Sequence, residues 1–324
     1  MTPIVEIKDL RVRFKGERTV HALNGVDISL RQGEVLGLLG ESGSGKSVTL
    51  RALLRMLPPR RSEASGSIRV EGRDVFALND TELEKYRGGI VSMIFQEPML
   101  ALDPVYTIGD QIAETVTRHL GVSWEDGRKR ALEMLDAVRI PSARRRLENY
   151  PHEMSGGMRQ RAMIALALSC KPKVLLADEP TTALDATVQI QILLLLRELQ
   201  RAMGMAVIFV THDIGVAVEI SDRIAVMYGG RVVESGDLRN VVRTPRHPYT
   251  RGLLSSTVHG GQRGKRLEAI PGAPPRLDRL PQGCVFAPRC TLAIPACSQG
   301  DIPLLSLPPQ HDVRCIRAMG EVAA

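Results

Sequence analysis

The chain has 324 residues, 44% of them hydrophobic and 24% charged, with a formal net charge of +7. This is the composition of an ordinary folded protein large enough for a main domain and a smaller second one. The longest apolar run, IQILLLL, is broken at Arg197, short of the ~18 residues that span a bilayer. Residues 236–324 hold twelve Lys or Arg against six Asp or Glu, so the first 235 are nearly neutral. That distribution argues against a core built for nucleic acid, while a basic tail stays open. The start, MTPIVEIKDL, has no basic stretch leading into an apolar core, so no secretory signal is expected. A cytosolic chain with reduced thiols is expected instead.

In chain order, residues 4–10 and 26–30 alternate apolar and polar side chains, as half-buried strands do. A short apolar strand at 35–39 leads into a glycine loop, and a helix is predicted over about 46–56, ended by Pro58-Pro59. A strand pair is expected at 67–70 and 90–95. From 99 to 139 the apolar spacing becomes helical, in DQIAETV and ALEMLDAV. A helix opened by Ser155-Gly156-Gly157, a buried strand at 174–177, a helix over about 186–203 and a strand at 207–210 follow. Strands alternating with helices predict an α/β fold with a mostly parallel sheet. Beyond Ser235 lie eleven of the twenty prolines and little periodicity. This reads as an irregular appended module that apolar burial alone does not hold together.

Residues 40–47, GESGSGKS, fit the phosphate-loop pattern G-x-x-x-x-G-K-[ST] between a strand and a helix. Gly40, Gly43 and Gly45 let the backbone curl so that its amides surround a β-phosphate. Lys46 then reaches the β- and γ-phosphates, and Ser47 ligates Mg²⁺. Ser42, Ser44 and Val48 complete the stretch expected to meet ATP. The buried strand at 174–177 ends in Asp178-Glu179, where strand ends of α/β sheets carry sites. Asp178 is expected to hold the Mg²⁺ hydration shell and Glu179 to act as general base. Two acids after a strand can also simply open a solvated loop. Ser155-Gly156-Gly157 presents a second helix start with amides suited to an anion, or a plain N-cap.

Residues 40–47, Gln96, Ser155-Gly156-Gly157, Asp178-Glu179, Ala183-Leu184-Asp185 and His212 occur in the order and spacing of the ATP-binding-cassette (ABC) ATPases. Residues 4–235 resemble that family. The resemblance implies a phosphate-loop NTPase cassette over 1–235: a RecA-like core with a mixed sheet, an antiparallel β subdomain and a helical subdomain at about 97–170. It also implies that two cassettes face head to tail, so that Ser155, Gly156, Gly157 and Asp185 serve the ATP of a homologous or identical partner. Gln96 would reach the metal and the attacking water, and His212 the γ-phosphate. A lone Gln or His at a strand end is otherwise a solvated or structural residue. Phe14 stacks on adenine or belongs to the core. Met154 and Met158 depart from the usual Leu-Ser-Gly-Gly-Gln, outside the phosphate-contacting Ser-Gly-Gly.

QEPMLALDPVYTIGDQI from Gln96, HPYT-x-G-L-L from His247 and Pro271-Gly272-Ala273-Pro274-Pro275 resemble the oligopeptide, dipeptide and nickel importer subfamily, with Asp103 where Asn is expected. That implies a peripheral ATPase on the cytoplasmic face of the membrane, two integral permease subunits, an extracytoplasmic substrate-binding protein and no nucleic acid. The rival is a nucleic-acid-linked ABC ATPase. Its coiled-coil forms need a far longer interval than 47–155, and its translation-factor forms need two cassettes. A kinase or GTPase would leave Ser155-Gly156-Gly157 and His212 without a role.

Four of the five cysteines crowd into residues 284–324 as Cys284-x5-Cys290-x6-Cys297-x17-Cys315. Spacing leaves zinc, an iron–sulfur cluster and free thiols open. Resemblance to the importer tails implies a [4Fe–4S] cluster, with Zn²⁺ as the alternative and His311 as a spare ligand or a loop residue. Cys170, at a helix end, reads as a small buried apolar residue.

Overall fold

The computed structural model describes residues 2–182, 184–256 and 270–320, without the side chains of 319 and 320. Strands β1 (Val5–Phe14), β2 (Val20–Leu30) and β3 (Val35–Leu39) precede helix α1 (Lys46–Leu53), β4 (Ser62–Val70) and β5 (Arg73–Asp74). Then come α2 (Asp80–Tyr86), β6 (Val91–Ile94), α3 (Pro98–Ala101), α4 (Ile108–Leu120), α5 (Trp124–Ala137), α6 (Ala143–Arg146) and α7 (Gly156–Leu168). β7 (Val174–Asp178), α8 (Ala186–Met203), β8 (Ala206–Thr211), α9 (Ile214–Ile220), β9 (Arg223–Tyr228) and β10 (Arg231–Asp237) follow. The last elements are α10 (Leu238–Arg243), α11 (Pro248–Ser255), β11 (Leu305–Leu307), β12 (His311–Val313) and α12 (Ile316–Gly320). Among the described residues no helix is long and apolar enough to cross a membrane.

The chain divides into two compact units. Met1–Leu30, Val35–Phe76 and Val210–Ala324 form the first, and Arg31–Glu34 with Ala77–Phe209 the second. This division runs across the boundary read from composition at residue 235, which falls inside β10.

In the first unit β2, β1, β4 and β5 pair antiparallel in that order. Alternation along β1, shifted by an irregularity between Ile7 and Leu10, sends Val5, Ile7, Leu10 and Val12 inward. β3 reads VLGLL and is buried throughout, as a strand covered on both faces must be. It pairs parallel with β9, aligning Leu36 with Arg223 and Leu39 with Val226, and β10 returns antiparallel to β9. In the second unit β6 and β7, both fully buried, pair parallel with Ile94 opposite Ala177. The expected pairing of 67–70 with 90–95 does not occur: β4 lies between β1 and β5, and β6 beside β7. Alternation marks each segment as a strand, but its partner is chosen by long-range packing.

The C-terminal segment is not the irregular module that its prolines suggest. β12 pairs antiparallel with β10, Glu234 opposite Val313, and β11 pairs with β12. The order β11-β12-β10-β9-β3 therefore continues the first unit's sheet into the extension. Val241, Tyr249, Val285 and Phe286 of the extension are buried in one cluster with Leu39, Ile224, Val226 and Tyr228. Apolar burial does hold this segment, because the strands before it supply the face that it lacks by itself.

A buried carboxylate fastens it further. Glu234, fully buried on β10, accepts from the backbone N–H of Arg246 at 2.6 Å and of His247 at 3.0 Å. Its Oε1 also lies 2.6 Å from His311 Nε2. His311 is thus neither a spare ligand nor a loop residue but a buried member of β12. His247 caps α11, its Nδ1 accepting from Tyr249 N–H at 3.1 Å.

Replacing Glu234 with Ala strands three buried donors and should cost about 3 kcal/mol, read as a lowered thermal midpoint of the full chain. Acid should act on the same corner. Burial pushes the His247 imidazole down to about 4, against the milder upward pull of Glu234. Between that value and the ordinary ~6.5 the unfolded chain binds the extra proton, so stability falls as pH drops through this window, by up to ~3 kcal/mol. Urea titrations at pH 7, 5.5 and 4.5 measure the loss, and H247F should flatten this dependence.

Candidate nucleotide site

In the first unit the glycine loop runs from β3 into α1. Gly45, the residue before the helix, has φ +107 and supplies no side-chain cap to the first turn of α1. A left-handed residue there is nearly free of strain only for glycine, and a Cβ would sit 2.6 Å from Leu23 Cδ2. Lys46 is buried and folds back over the loop, its Nζ donating to Gly40 O at 2.6 Å and Glu41 O at 3.1 Å. Ser44 is buried as well, and its Oγ has no hydrogen-bond partner among the described residues. Ser42 and Gly43 are exposed, and Ser47 and Val48 half-buried on the first turn of α1. Phe14 ends β1, half-buried, opposite Val20 and Ser62.

His212 belongs to this unit too and is exposed between β8 and α9. The bend that presents it is stiff. Asp213 N–H donates to Thr211 Oγ1 at 3.0 Å, and Asp213 Oδ1 accepts from Gly215 N–H at 2.7 Å to cap α9.

The second unit gathers the other expected residues. Gln96 and Glu179 each lie two residues beyond the aligned pair Ile94 and Ala177, at the same ends of two parallel strands. Asp178 is buried at the last position of β7, and Glu179 is half-buried. Glu179 has φ +45, a left-handed conformation costly for a residue with a Cβ and concentrated at functional sites. Thr182 Oγ1 donates to Glu179 Oε2 at 2.9 Å and so orients the carboxylate.

Ser155 caps α7, its Oγ accepting from Met158 N–H at 3.4 Å, and a Cβ on Gly156 would meet nothing within 4 Å. A Cβ on Gly157 would lie 3.2 Å from Val188 Cγ1, so the starts of α7 and α8 sit side by side. Asp185 caps α8, with Oδ1 accepting from Val188 N–H at 3.0 Å. Ala183, of the expected Ala183-Leu184-Asp185 motif, lies outside the described residues. Gln160, one turn into α7 and buried, donates through Nε2 to Pro180 O, immediately after Glu179.

The four clustered cysteines share one corner of the first unit, where Cys284 N–H donates to Cys297 O at 2.8 Å. Burial pushes the thiols of Cys284, Cys290 and Cys315 up. Yet among the described residues no group of three or more His, Cys, Asp or Glu side chains is arranged to hold a metal ion. The expected [4Fe–4S] or zinc centre thus finds no support in this arrangement. Spacing along a chain does not aim four sulfurs at one point, and here the segment is held by strand pairing, the Glu234 network and the aromatic cluster. Cys170 is buried, as expected, with Sγ 3.8 Å from Thr115 O.

Several contributors were not legible in the sequence. Thr182 and Gln160 act on the segment after β7 only through the fold. Tyr249, quoted above within HPYT, puts its Oη 2.9 Å from Glu41 N, which donates to it. Arg289 reaches the Glu41 carboxylate with Nη1 at 2.8 Å and Nη2 at 3.2 Å. Sequence separations of 208 and 248 residues carried no signal for these contacts.

An uncapped, glycine-led helix start beneath a folded-over lysine, with an acidic strand end elsewhere in the chain, defines a phosphate-loop nucleotide-binding protein of the α/β class. The ABC transporter family model matches residues 23–182, and the oligopeptide/dipeptide transporter C-terminal region matches 233–297. A peptide import ATP-binding protein of Brucella melitensis is 50% identical, over 99% of both chains. A peptide ABC transporter ATP-binding protein of Sinorhizobium fredii is 48% identical over 97% of this chain and 95% of its own. Among solved structures, a dimeric ATP-binding cassette in a post-hydrolysis state, bound to ADP and Pi, has a TM-score of 0.65 at 33% identity, covering 72% of this chain and 99% of that one. A cassette of Clostridium perfringens, part of an ABC transporter complex, has a TM-score of 0.65 at 27% identity, covering 75% of this chain and 92% of that one. The chain belongs to the ABC transporter ATP-binding family, as an ATPase cassette that carries the oligopeptide/dipeptide C-terminal region.

Gly40 has φ +151, and a Cβ there would run into the Met227 carbonyl oxygen, which a β9 backbone cannot easily move. G40A should therefore open the loop and weaken binding of a fluorescent ATP analogue by at least ~tenfold, equivalent to ~1.4 kcal/mol.

Proposed function

We propose that this chain hydrolyses ATP to power peptide uptake, of the oligopeptide or dipeptide class, from the cytoplasmic face of the membrane. It does so as a peripheral subunit paired with a second cassette, identical or homologous. Two integral permease subunits receive the work, and an extracytoplasmic binding protein delivers the substrate. The observation that carries the transport reading is the segment after Gln96. Four large apolar side chains stand exposed within eight residues: Met99 at 44%, Leu100 at 80%, Val105 at 69% and Tyr106 at 57%. Such a patch on a water-facing surface marks a contact with another protein. Gln111 braces it, accepting from Asp103 N–H at 2.9 Å and donating to Tyr106 O at 3.0 Å. The C-terminal match and the import names of the relatives support the substrate class over the nucleic-acid alternative.

Phe14 stacks on the adenine, and residues 40 and 42–48 wrap the phosphates. The buried, unpartnered Ser44 Oγ suits a phosphate oxygen, and Lys46 exchanges its two carbonyl partners for the β- and γ-phosphates. Ser47, Gln96 and Asp178 offer the hard oxygen donors that Mg²⁺ takes and are the residues that would hold it; bound, it neutralises phosphate charge. Glu179, fixed by its backbone conformation and Thr182, accepts the proton of the attacking water. His212 steadies the γ-phosphate. The amides behind Ser155, Gly156 and Gly157, with Asp185 next to them, cap the nucleotide of the partner cassette.

E179Q tests base and pairing together. Hydrolysis should fall at least ~100-fold, the lower range for loss of a general base, while ATP still drives a monomer-to-dimer shift in size-exclusion chromatography. Unchanged turnover would refute the base assignment, and full-rate turnover by a verified monomer would refute the paired site.

A further inference from the structure

The C-terminal extension grips the phosphate loop at Glu41, the second residue of GESGSGKS. Its carboxylate is held two-pronged by Arg289, and its backbone N–H donates to Tyr249 Oη. The Arg289 side chain is only 7% exposed, against 26% for Glu41. All five guanidinium N–H directions are used. Nε donates to Pro271 O at 2.8 Å, Nη1 to Glu41 Oε2 and to Tyr228 Oη at 3.1 Å, and Nη2 to Glu41 Oε1 and to Ile270 O at 3.3 Å. A planar fork saturated in this way has one geometry, so it transmits position rather than charge alone. Tyr249 is equally fixed. Its ring packs 4.5 Å from Tyr228 and 5.4 Å from Phe286, centroid to centroid.

We infer that Arg289 and Tyr249 are positioning residues through which the extension sets the nucleotide affinity of the phosphate loop. The inference rests on the ATPase reading above. The Glu41 carbonyl is also an oxygen to which Lys46 Nζ donates, at 3.1 Å. One residue thus connects the extension, on its amide and carboxylate, to the phosphate-seeking ammonium on its carbonyl. Loosening either external grip lets residues 40–43 relax, so that the inward amides and Lys46 no longer meet a phosphate in a prepared cradle. The loss then falls on binding rather than on the chemical step, which belongs to other residues.

The test uses the full chain, with Mg-ATP turnover kinetics and direct binding of a fluorescent ATP analogue. R289A and Y249F should each raise KM and the analogue's Kd by about five- to tenfold with kcat changed less than about threefold. R289K, which keeps the charge but not the fork, should recover only part of the affinity. E41A/R289A should be no worse than R289A, because the two side chains act as one unit. R276A, an exposed arginine of the same segment paired with Asp278, should match the wild type. Y249F keeps the ring in its packing, so it answers the question even where R289A does not fold. Wild-type KM and Kd in both R289A and Y249F would overturn the inference, as would losses confined to kcat. Absence of hydrolysis in the wild-type chain would count against the ATPase reading instead, while the binding measurement still judges the inference.

Discussion

A loop that curls to receive an anion has little of its own to hold the curve. The rest of the first unit is organised around that constraint. Gly40 and Gly45 allow the curvature, since their positive φ angles admit no other residue cheaply and neighbouring groups leave no room for a Cβ. The loop's outer edge is tied down: Gly230 N–H donates to Ser44 O at 3.0 Å, and Lys46 spans the carbonyls of Gly40 and Glu41. Gly229 and Gly230 are in turn held by Asn24, which donates to Gly229 O at 3.2 Å through its side chain and to Gly230 O at 2.8 Å through its backbone. The β9–β10 turn and the extension each touch the loop with a hydrogen-bonding group, and the antiparallel sheet braces that turn. The loop's curve is thus held by hydrogen bonds made along its outer edge.

The second unit solves a different problem, keeping a carboxylate and two helix starts in fixed register. Burial of β6 and β7 on both faces fixes where Gln96 and Glu179 emerge. The left-handed turn at Glu179 then points the side chain where ordinary extended backbone would not. The absence of a side chain at Gly157 lets α7 come up against Val188 of α8, so the amide-rich start of one helix adjoins the Asp185-capped start of the other. Gln160 links the same helix to the carbonyl after Glu179. On the paired reading proposed above, this wiring would tie the groups offered to a partner to the residue proposed as general base.

The extension shows how a proline-rich segment is held by the elements that precede it. It borrows a sheet edge from β10 and an apolar face from β9, and adds Phe286 against Tyr228 and Tyr249 with centroids 5.2 and 5.4 Å apart. The otherwise costly carboxylate of Glu234 becomes an anchor, because two backbone amides and His311 surround it. The same packing delivers Arg289 and Tyr249 to the phosphate loop, so the features that fold the segment also give it a means of acting on the site.

Local chemistry carries some of this in the sequence alone. The phosphate loop, the acidic strand end and the two helix starts were legible there, because glycine, N-cap residues and runs of buried apolar residues impose their backbone states wherever they occur. The strand-helix alternation and the order of the motifs were legible for the same reason, and with them the family. Pairing was not. Whether residues 67–70 join 90–95, whether four cysteines converge, and whether His311 is loop or core depend on surfaces brought together over hundreds of residues. Only the tertiary structure decided those, and only it could bring Arg289 to Glu41, since a saturated guanidinium fork leaves no periodic mark along the chain.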